Sequence, residues 1–256
     1  MSPKDRPVLL SLFFLLNFIP SIAAAARTLL QYRPTDLILL DCGASSSATS
    51  VDGRNWDGDA HSKFLGSDSE TASSAHIASQ QDPSMYQVPY MTARVSQSKF
   101  TYMFPLSPGS KFVRLYFYPT KYSNLEISKS FFSVKVNDYT LLSNFSAFLA
   151  ISAANSSVNT LIKEYVIAVH HNQNLNLTFS ASTGSFSFIN GIEIVSMPSN
   201  LYSSGTDNLL TYVGYSYLFY LDNATALETF YRLNVGGKDI SGSGDGFKIL
   251  ITSLGT

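Results

Sequence analysis

The densest group of side chains that could do chemistry lies between residues 52 and 59, where three carboxylates stand close together. They are Asp52, Asp57 and Asp59, with the carboxamide of Asn55 between them. A calcium loop needs oxygen ligands at alternating positions and usually a bidentate Glu downstream. The spacing here does not match an EF-hand, and the neighbouring glycines favour a solvated turn. We therefore predict no metal site and no cofactor.

The other side chains with catalytic potential do not form a recognisable site. His170 and His171 are adjacent, and neighbours on a strand point to opposite faces, so they cannot chelate one ion together. We interpret them as strand-end residues before a turn at Asn172. The sequence lacks a nucleophile elbow, a P-loop, a zinc-protease helix and all protein-kinase signatures. No Ser-His-Asp spacing supports a triad. The sequence predicts a protein that is not an enzyme.

The composition favours β-structure and argues against nucleic acid as a partner. Only 14% of the 256 residues are charged, while Tyr and Phe number 15 and 18. Aromatic and branched side chains suit a pleated, half-buried surface. The net charge is −1, and no run of Lys and Arg provides the basic surface that phosphate contacts require.

The first 26 residues have the pattern of a cleaved signal peptide. Lys4 and Arg6 precede an apolar run from Val8 to Ile22, and small residues follow at positions 23–26. The run is interrupted and short for a bilayer span. We expect entry into the secretory pathway, with this chain reaching the extracellular space.

Four sequons agree with export, and they predict N-glycosylation at Asn144, Asn155, Asn176 and Asn223. Cys42 is the only cysteine, so no internal disulfide can form. The apolar residues around Cys42 favour a buried thiol.

The chain beyond residue 36 reads as about ten short strands with turn signals between them. The clearest alternation places Phe132, Val134 and Val136 on one face, and Leu175, Leu177 and Phe179 repeat it. The remaining predicted strands cover residues 36–42, 90–95, 100–104, 111–118, 139–145, 161–169 and 186–194. This pattern predicts an all-β fold, an antiparallel β-sandwich or jelly roll. Residues 147–159 are compatible with a helical turn.

A second copy of the domain is predicted to begin near residue 230. The segment Tyr231–Gly237 repeats the pattern of Leu37–Gly43, an apolar strand followed by an acid or amide and then glycine. We expect a signal peptide over 1–26, a first domain over 27–199, a connecting segment over 200–227 and a truncated second copy over 228–256. A short helical turn is expected over Ala224–Phe230, and the lone strand after it is expected to be poorly ordered or docked at an edge.

Several motifs together resemble the extracellular part of plant FERONIA-like receptor kinases, over nearly all of residues 36–240. They are Asp41-Cys-Gly43, Asp52-Gly-Arg-Asn-Trp56, Ser62-Lys-Phe-Leu65, Pro89-Tyr-Met-Thr-Ala-Arg-Val95, Lys111-Phe-Val-Arg-Leu-Tyr-Phe-Tyr-Pro119, Asn190-Gly-Ile-Glu-Ile194, Ser196-Met-Pro198, Ala226-Leu-Glu228 and Tyr231-Arg-Leu-Asn-Val-Gly-Gly-Lys-Asp-Ile240.

The resemblance implies tandem malectin-like β-sandwich domains, one transmembrane helix and a cytosolic Ser/Thr kinase. Members are plasma-membrane receptors with proposed ligands among pectic polysaccharides and small secreted alkalinising peptides. Here only the first domain and the opening strand of the second are recognised, and Gly246–Thr256 does not resemble the family. We interpret the chain as a truncated product. Membrane association is expected only through the C-terminal region that full-length relatives possess.

The resemblance and the abundance of tyrosine direct attention to six residues as glycan contacts. They are Tyr90, Arg94, Tyr116, Tyr118, Tyr122 and Asn190. Protein sites for sugars combine aromatic faces with amide and carboxylate groups. The alternative is that these tyrosines are packing groups with satisfied hydroxyls. Val95 stands where animal malectin has a ligand-contacting tyrosine.

Two functions follow from the resemblance. The first is a carbohydrate-binding module that senses a pectin-like cell-wall glycan, which requires a basic patch from Lys111, Arg114, Lys121 and Lys135. The second is a protein-interaction domain for a secreted peptide or a co-receptor. A truncated product without function, or one acting as a decoy, is the third alternative.

Overall fold

The computed structural model describes residues 32–60, 62–79, 86–154, 159–198 and 201, and the short segments 209–211, 218–220, 226–232 and 249–253. The predicted signal peptide, Asn155, Asn223 and residues 233–248 lie outside them. The strands are β1 (Leu37–Asp41), β2 (Ala48–Thr49), β3 (Asn55–Gly58), β4 (Ser74–Ile77), β5 (Thr92–Ser96), β6 (Lys99–Pro105), β7 (Gly109–Phe117), β8 (Phe132–Val136), β9 (Tyr139–Phe145), β10 (Leu161–Val169), β11 (Asn174–Ala181), β12 (Ser187–Ile189), β13 (Gly191–Ser196), β14 (Leu209–Thr211), β15 (Leu218–Tyr220), β16 (Leu227–Arg232) and β17 (Ile249–Ser253). The helices are α1 (Ser67–Ala72), α2 (Ala147–Ala154) and a 3-10 turn (Ile127–Lys129).

Two large sheets form the sandwich that the sequence predicts. The eight-stranded sheet has the order β17-β16-β10-β7-β13-β1-β3-β2, and the four-stranded sheet has the order β6-β11-β8-β9. A three-stranded sheet, β12-β5-β4, and the hairpin β14-β15 complete the pairing. The strands pair antiparallel except β1 and β3, which run parallel. The all-β prediction is confirmed.

The core lies between the inner faces of the two large sheets. Phe117 of β7 contacts Phe132 of β8 and Phe145 of β9, with ring centroids 5.9 and 5.6 Å apart. The residues predicted to alternate inward on β8 and β11 are fully buried. Period-two alternation with one covered face therefore determined the register of these strands.

The described residues between β13 and β17 differ from the prediction at the start of β16. The expected helical turn over Ala224–Phe230 is wrong, because Leu227 begins strand β16, which pairs with β10. Pairing with an exposed sheet edge overrides the weak local preference for helix. The predicted helical turn after residue 147 is confirmed as α2. Among the described residues, no helix is long and apolar enough to cross a membrane.

The turn that follows β1 depends on glycine at position 43. Gly43 has φ +84°, and a Cβ atom there would lie 2.4 Å from the carbonyl oxygen of Ala93. Gly53 has a similar φ of +81°, but nothing lies within 4 Å of its Cβ position. Substitutions at these two positions therefore distinguish the cost of a left-handed backbone, which both share, from the cost of a collision with the backbone, which only Gly43 has.

We predict that Gly43→Ala costs far more stability than Gly53→Ala. A left-handed alanine costs about 1–2 kcal/mol, which is the whole effect expected at Gly53. At Gly43 the collision with Ala93 adds about 3 kcal/mol or more to the loss. Chemical denaturation of the secreted chain measures both values, and equal losses for the two variants would contradict the collision.

Candidate functional site on the sandwich

Five of the six predicted glycan contacts gather where β12 passes into β13. Asn190 is the residue between these strands, and it is fully buried. Its Nδ2 donates to the carbonyl oxygens of Tyr90 and Thr92 at 3.2 and 2.7 Å. Its Oδ1 accepts from the backbone amide of Tyr118 at 2.7 Å. The side-chain amide thus connects three segments of the chain.

The tyrosines around Asn190 are buried, and their polar atoms have partners. The Tyr122 hydroxyl donates to the carbonyl oxygen of Tyr118 and accepts from Asn190 Nδ2, both at 2.7 Å. Burial raises the pKa of Tyr122. It also raises the pKa of Tyr90, to about 12. The Tyr116 ring lies edge-on to Trp56 at 5.2 Å, and its hydroxyl donates to Glu193. These contacts agree with the packing interpretation that the sequence left open, and a glycan-binding role for the five residues stays a prediction.

Arg94, the sixth predicted contact, lies on β5 opposite Ile189, and its side chain is engaged with a different partner. It donates to both carboxylate oxygens of Asp59, at 2.5 and 2.8 Å. Asp59 also accepts from the Tyr102 hydroxyl at 2.6 Å and from the backbone amide of Gly43 at 2.8 Å. Both charged side chains are almost completely buried. A bidentate pair of this kind fixes geometry, and here it leaves the guanidinium little contact with solvent.

The four residues of the predicted basic patch do not form one surface. Lys111 is 1% exposed, and its ammonium lies 3.0 Å from Asp36. Arg114 is paired with Glu164 and Glu193. Lys121 and Lys135 are exposed, but Lys121 follows β7 while Lys135 lies on the outer face of β8. Burial and internal ion pairing remove the first two cations from the surface.

The outer face of the eight-stranded sheet carries two cross-strand rows. Directly opposed residues share a face, and five of them form what we call the apolar row. Its members are Leu37, Val195, Phe112, Val166 and Leu227. Met197 and Leu201 cover part of it. This row holds β16 against β10.

The next row, which we call the charged row, consists of Glu193, Arg114 and Glu164 on adjacent strands. Arg54 extends it at one end by donating to Glu193 at 2.9 Å, and Thr229 of β16 donates to Glu164 at 2.8 Å at the other. Glu193 and Glu164 are 3% and 6% exposed. The pairs neutralise one another, so the row fixes strand positions and leaves no free basic surface.

The Arg54 guanidinium is the most accessible cation of this network. Its carbon lies 5.4 Å from the centre of the Trp56 ring, and its Nε donates to Asp52 at 2.7 Å. The side chain is 33% exposed. The clustered carboxylates of the sequence therefore have different partners, because Asp52 pairs with Arg54 while Asp59 pairs with Arg94. Among the described residues, no three His, Cys, Asp or Glu side chains are grouped as metal ligands.

Asp41 is a buried carboxyl group without a cationic partner among the described residues. It is 5% exposed, and Thr92 Oγ1 donates to it at 2.8 Å. Burial raises the pKa of Asp41 to about 7, and the Asp59 charge adds to the shift while the Thr92 hydrogen bond opposes it. Burial also raises the pKa of the neighbouring Cys42 thiol, which is buried as predicted.

Sequence reasoning did not single out Glu193 or Glu164, and it placed Asp59 in a solvated turn, which is wrong because Asp59 is fully buried. Glu193 lies between the buried Ile192 and Ile194, and Glu164 directly precedes a buried apolar run that begins at Tyr165. A carboxylate inside such a strand is seldom buried without a partner, and this signal could have identified both. Asp59 gave no comparable signal, because its partner Arg94 is 35 residues away.

Two of the predicted glycosylation acceptors lie in the described residues. Asn144 of β9 and Asn176 of β11 are both exposed. The adjacent histidines His170 and His171 lie in the turn between β10 and β11, as predicted.

Comparison with known proteins identifies the matching domain. The malectin-like domain family matches residues 40–248. The receptor-like protein kinase FERONIA of Arabidopsis thaliana is 50% identical over 246 residues, which is 94% of this chain and 26% of that protein. ANXUR1 of the same species is 40% identical over 215 residues, or 81% of this chain and 24% of that protein. The chain spans about a quarter of the length of the curated relatives it matches, and their kinase region is not covered.

Solved structures of these relatives share the fold. The plant receptor-like kinase FER matches with a TM-score of 0.70 and 45% identity, covering 84% of this chain and 53% of that chain. A structure of the plant peptide RALF23 in complex with FER and LLG2 matches with a TM-score of 0.71 and 48% identity, covering 84% of this chain and 52% of that chain.

We predict that Asp41 makes stability depend on pH. Its pKa is about 7 in the folded chain and 3.8 ordinarily, so between these values the folded state holds a proton that the unfolded state has released. This contribution is fully present below pH 4 and is lost as the pH rises through 7. Between pH 5 and pH 8 the free energy of unfolding falls by about 3 kcal/mol from this group.

Denaturation at several pH values measures this dependence. Asp41→Asn is expected to remove that part of the slope, while Asp57→Asn, which changes an exposed carboxylate, is expected to retain it. An unchanged slope in Asp41→Asn would show that Asp41 is ionised in the folded chain at pH 5.

We predict that Asn190→Ala lowers the free energy of unfolding by about 3–5 kcal/mol, because several buried groups lose their partner together. Tyr122→Phe removes one hydroxyl of the same cluster and is expected to cost about 1–2 kcal/mol. Fluorescence of Trp56, the only tryptophan and a buried one, reports the transitions. A loss in Asn190→Ala no larger than in Tyr122→Phe would contradict the central role of the amide.

Proposed function

The chain belongs to the malectin-like domain family, and on that premise we propose that it is a non-catalytic, extracellular ligand-binding module of a receptor-like kinase. We further propose that its partner is a secreted peptide held together with a co-receptor. The observation that carries this proposal is the 48% identity, over 84% of the chain, with the structure of RALF23 with FER and LLG2. Binding by a relative supports the same partner class here.

The geometry also favours a protein partner over a small enclosed ligand. Sites for small ligands are concave and lined by apolar groups with a few convergent polar atoms. Here the tyrosines that would form such a site are buried, and their hydroxyls bond to Asn190, Glu193 and the backbone. A surface whose buried polar groups already have partners is better suited to bind a protein, which it recognises through a large contact area and complementary shape.

Sensing of a pectin-like cell-wall glycan is the second candidate. It is favoured by the exposed ammonium groups of Lys121 and Lys135, which form no ion pair with other described residues. It is weakened by the burial of Lys111 and the pairing of Arg114. A polyanion that relied on the two exposed lysines would bind with strong salt dependence.

We expect the secreted chain, residues 27–256, to bind an alkalinising-type peptide and the co-receptor together and saturably. Biolayer interferometry measures this binding, with the complete FERONIA ectodomain as the positive control. Absence of binding by a chain that unfolds cooperatively, while the control binds, would contradict the peptide proposal.

The same assay with demethylated pectin fragments tests the second candidate. Glycan sensing predicts binding that weakens as salt rises and falls about ten-fold in Lys121→Ala/Lys135→Ala. Lys63→Ala/Lys99→Ala removes two other exposed cations and serves as the matched control. Equal losses in both double variants would indicate non-specific charge attraction.

A further inference from the structure

A polar groove lies at one end of the four-stranded sheet, where the β8–β9 and β10–β11 turns meet. We call it the amide groove, because five of its seven lining residues carry carboxamides. Its lining is Asn137, Asp138, Asn172, Gln173, Asn174, Asn176 and Thr178, around a volume of about 550 Å³. The groove is open to solvent and its lining is polar, so it suits a polar group tethered at its wall better than a free ligand held by enclosure.

The walls of the amide groove are fixed by the backbone. Asn137 and Asn172 have φ values of 49° and 60°, a conformation that asparagine tolerates better than most residues. The backbone amide of Asn137 donates to the carbonyl oxygen of Asn176, and the backbone amide of Asn176 donates to Asn137 Oδ1, both at 3.0 Å. The β8–β9 turn is therefore tied to β11 on one side of the groove.

Asn176 is both a wall of the groove and the acceptor of a sequon. Leu177 is fully buried, so strand alternation places Asn176 and Thr178 together on the outer face. The Asn176 side chain is exposed. The Thr178 hydroxyl hydrogen-bonds to that of Thr101 at 2.9 Å. A glycan joined to Asn176 would therefore begin inside the amide groove.

The chemistry of the lining matches a neutral saccharide. Carboxamides both donate and accept hydrogen bonds, as sugar hydroxyl and acetamido groups do. The lining has one charged residue, Asp138, whose carboxylate disfavours an anion, although the exposed Lys135 lies opposite Thr178 on β8. No aliphatic or aromatic side chain lines the groove to anchor an apolar ligand.

We propose that the N-linked glycan of Asn176 folds back into the amide groove, where its first sugars bond to the carboxamides of both turns. This inference rests on the proposed extracellular location. The chain's own sugar then covers this end of the four-stranded sheet. A protein partner is thereby directed to other surfaces, such as the loops and the eight-stranded sheet.

The test compares two glycans on one sheet. Asn144 is exposed on β9 and does not line the groove, so it is the internal control. The chain is secreted from plant cells, treated with a peptide N-glycosidase under native conditions, and sampled over time by glycopeptide mass spectrometry. We expect release from Asn176 to be about ten-fold slower than from Asn144, because a glycan docked most of the time is protected in proportion. After denaturation the two rates are expected to be equal.

A variant of the groove separates docking from other causes of slow release. Asn172→Gly with Asn174→Ala removes two carboxamides, keeps the sequon and retains the left-handed turn. It is expected to bring the native release rate at Asn176 close to that at Asn144. Unchanged slow release in this variant would overturn the docking.

The remaining outcomes distinguish this inference from the proposed function. A glycan on Asn144 with none on Asn176 would overturn the inference and leave the extracellular location intact. Equal native release rates at the two sites would overturn docking while confirming glycosylation. Absence of glycan at both sites of the secreted chain would overturn the inference alone, whereas failure of the chain to reach the medium would count against the extracellular location.

Discussion

The arrangement of the sandwich depends on the hydrogen bonds made by the side-chain carboxamide of Asn190. It lies where the chain leaves the three-stranded sheet and enters the eight-stranded one. Its oxygen holds the end of β7 through Tyr118, and its nitrogen holds the residues that lead into β5. A buried group must find all of its partners within the protein. Only a side chain with both a donor and an acceptor can bond to these backbone groups at once. The next residue, Gly191, has no side chain, which lets Pro89 pack where a Cβ atom would lie 2.6 Å from its Cγ.

The charged row has a second structural consequence, because it makes a shift in strand register costly. Burying charges is expensive, and a buried ion pair seldom adds much net stability. A slip of one residue in β7 or β13 would, however, turn Arg114 or Glu193 toward the core and leave its partner unpaired. The row therefore favours one alignment of β13, β7 and β10 over its alternatives. Through Thr229 the same alignment includes β16.

The sequence determined the fold more closely than the site, and the reason is physical. Strands β8 and β11 have one covered face, so their alternating pattern is sufficient to place Val134 or Leu177 inside. Strand β7 is covered on both faces, so the alternating pattern does not reveal whether the Tyr116 side chain is exposed to solvent or buried against Glu193. Strands β3 and β16 were not predicted, since β3 is four residues long and β16 depends on pairing with β10. Arg94 and Lys111 looked accessible because their acidic partners, Asp59 and Asp36, are distant in sequence.

The two outer faces of the sandwich consequently differ in what they offer to a partner. On the eight-stranded sheet, side chains capable of strong recognition are already engaged with one another, so binding there can draw mainly on shape and on groups at the rim such as Arg54. On the four-stranded sheet, the exposed residues include Lys99, Lys135 and the apolar Met103, together with the predicted glycan acceptors Asn144 and Asn176. A glycan at the predicted acceptors would hinder desolvation of this face against a protein. Polar groups on the outer face of the eight-stranded sheet already have partners, and the four-stranded sheet carries two predicted glycan acceptors. We therefore expect a protein partner to contact the loops at the edges of the eight-stranded sheet.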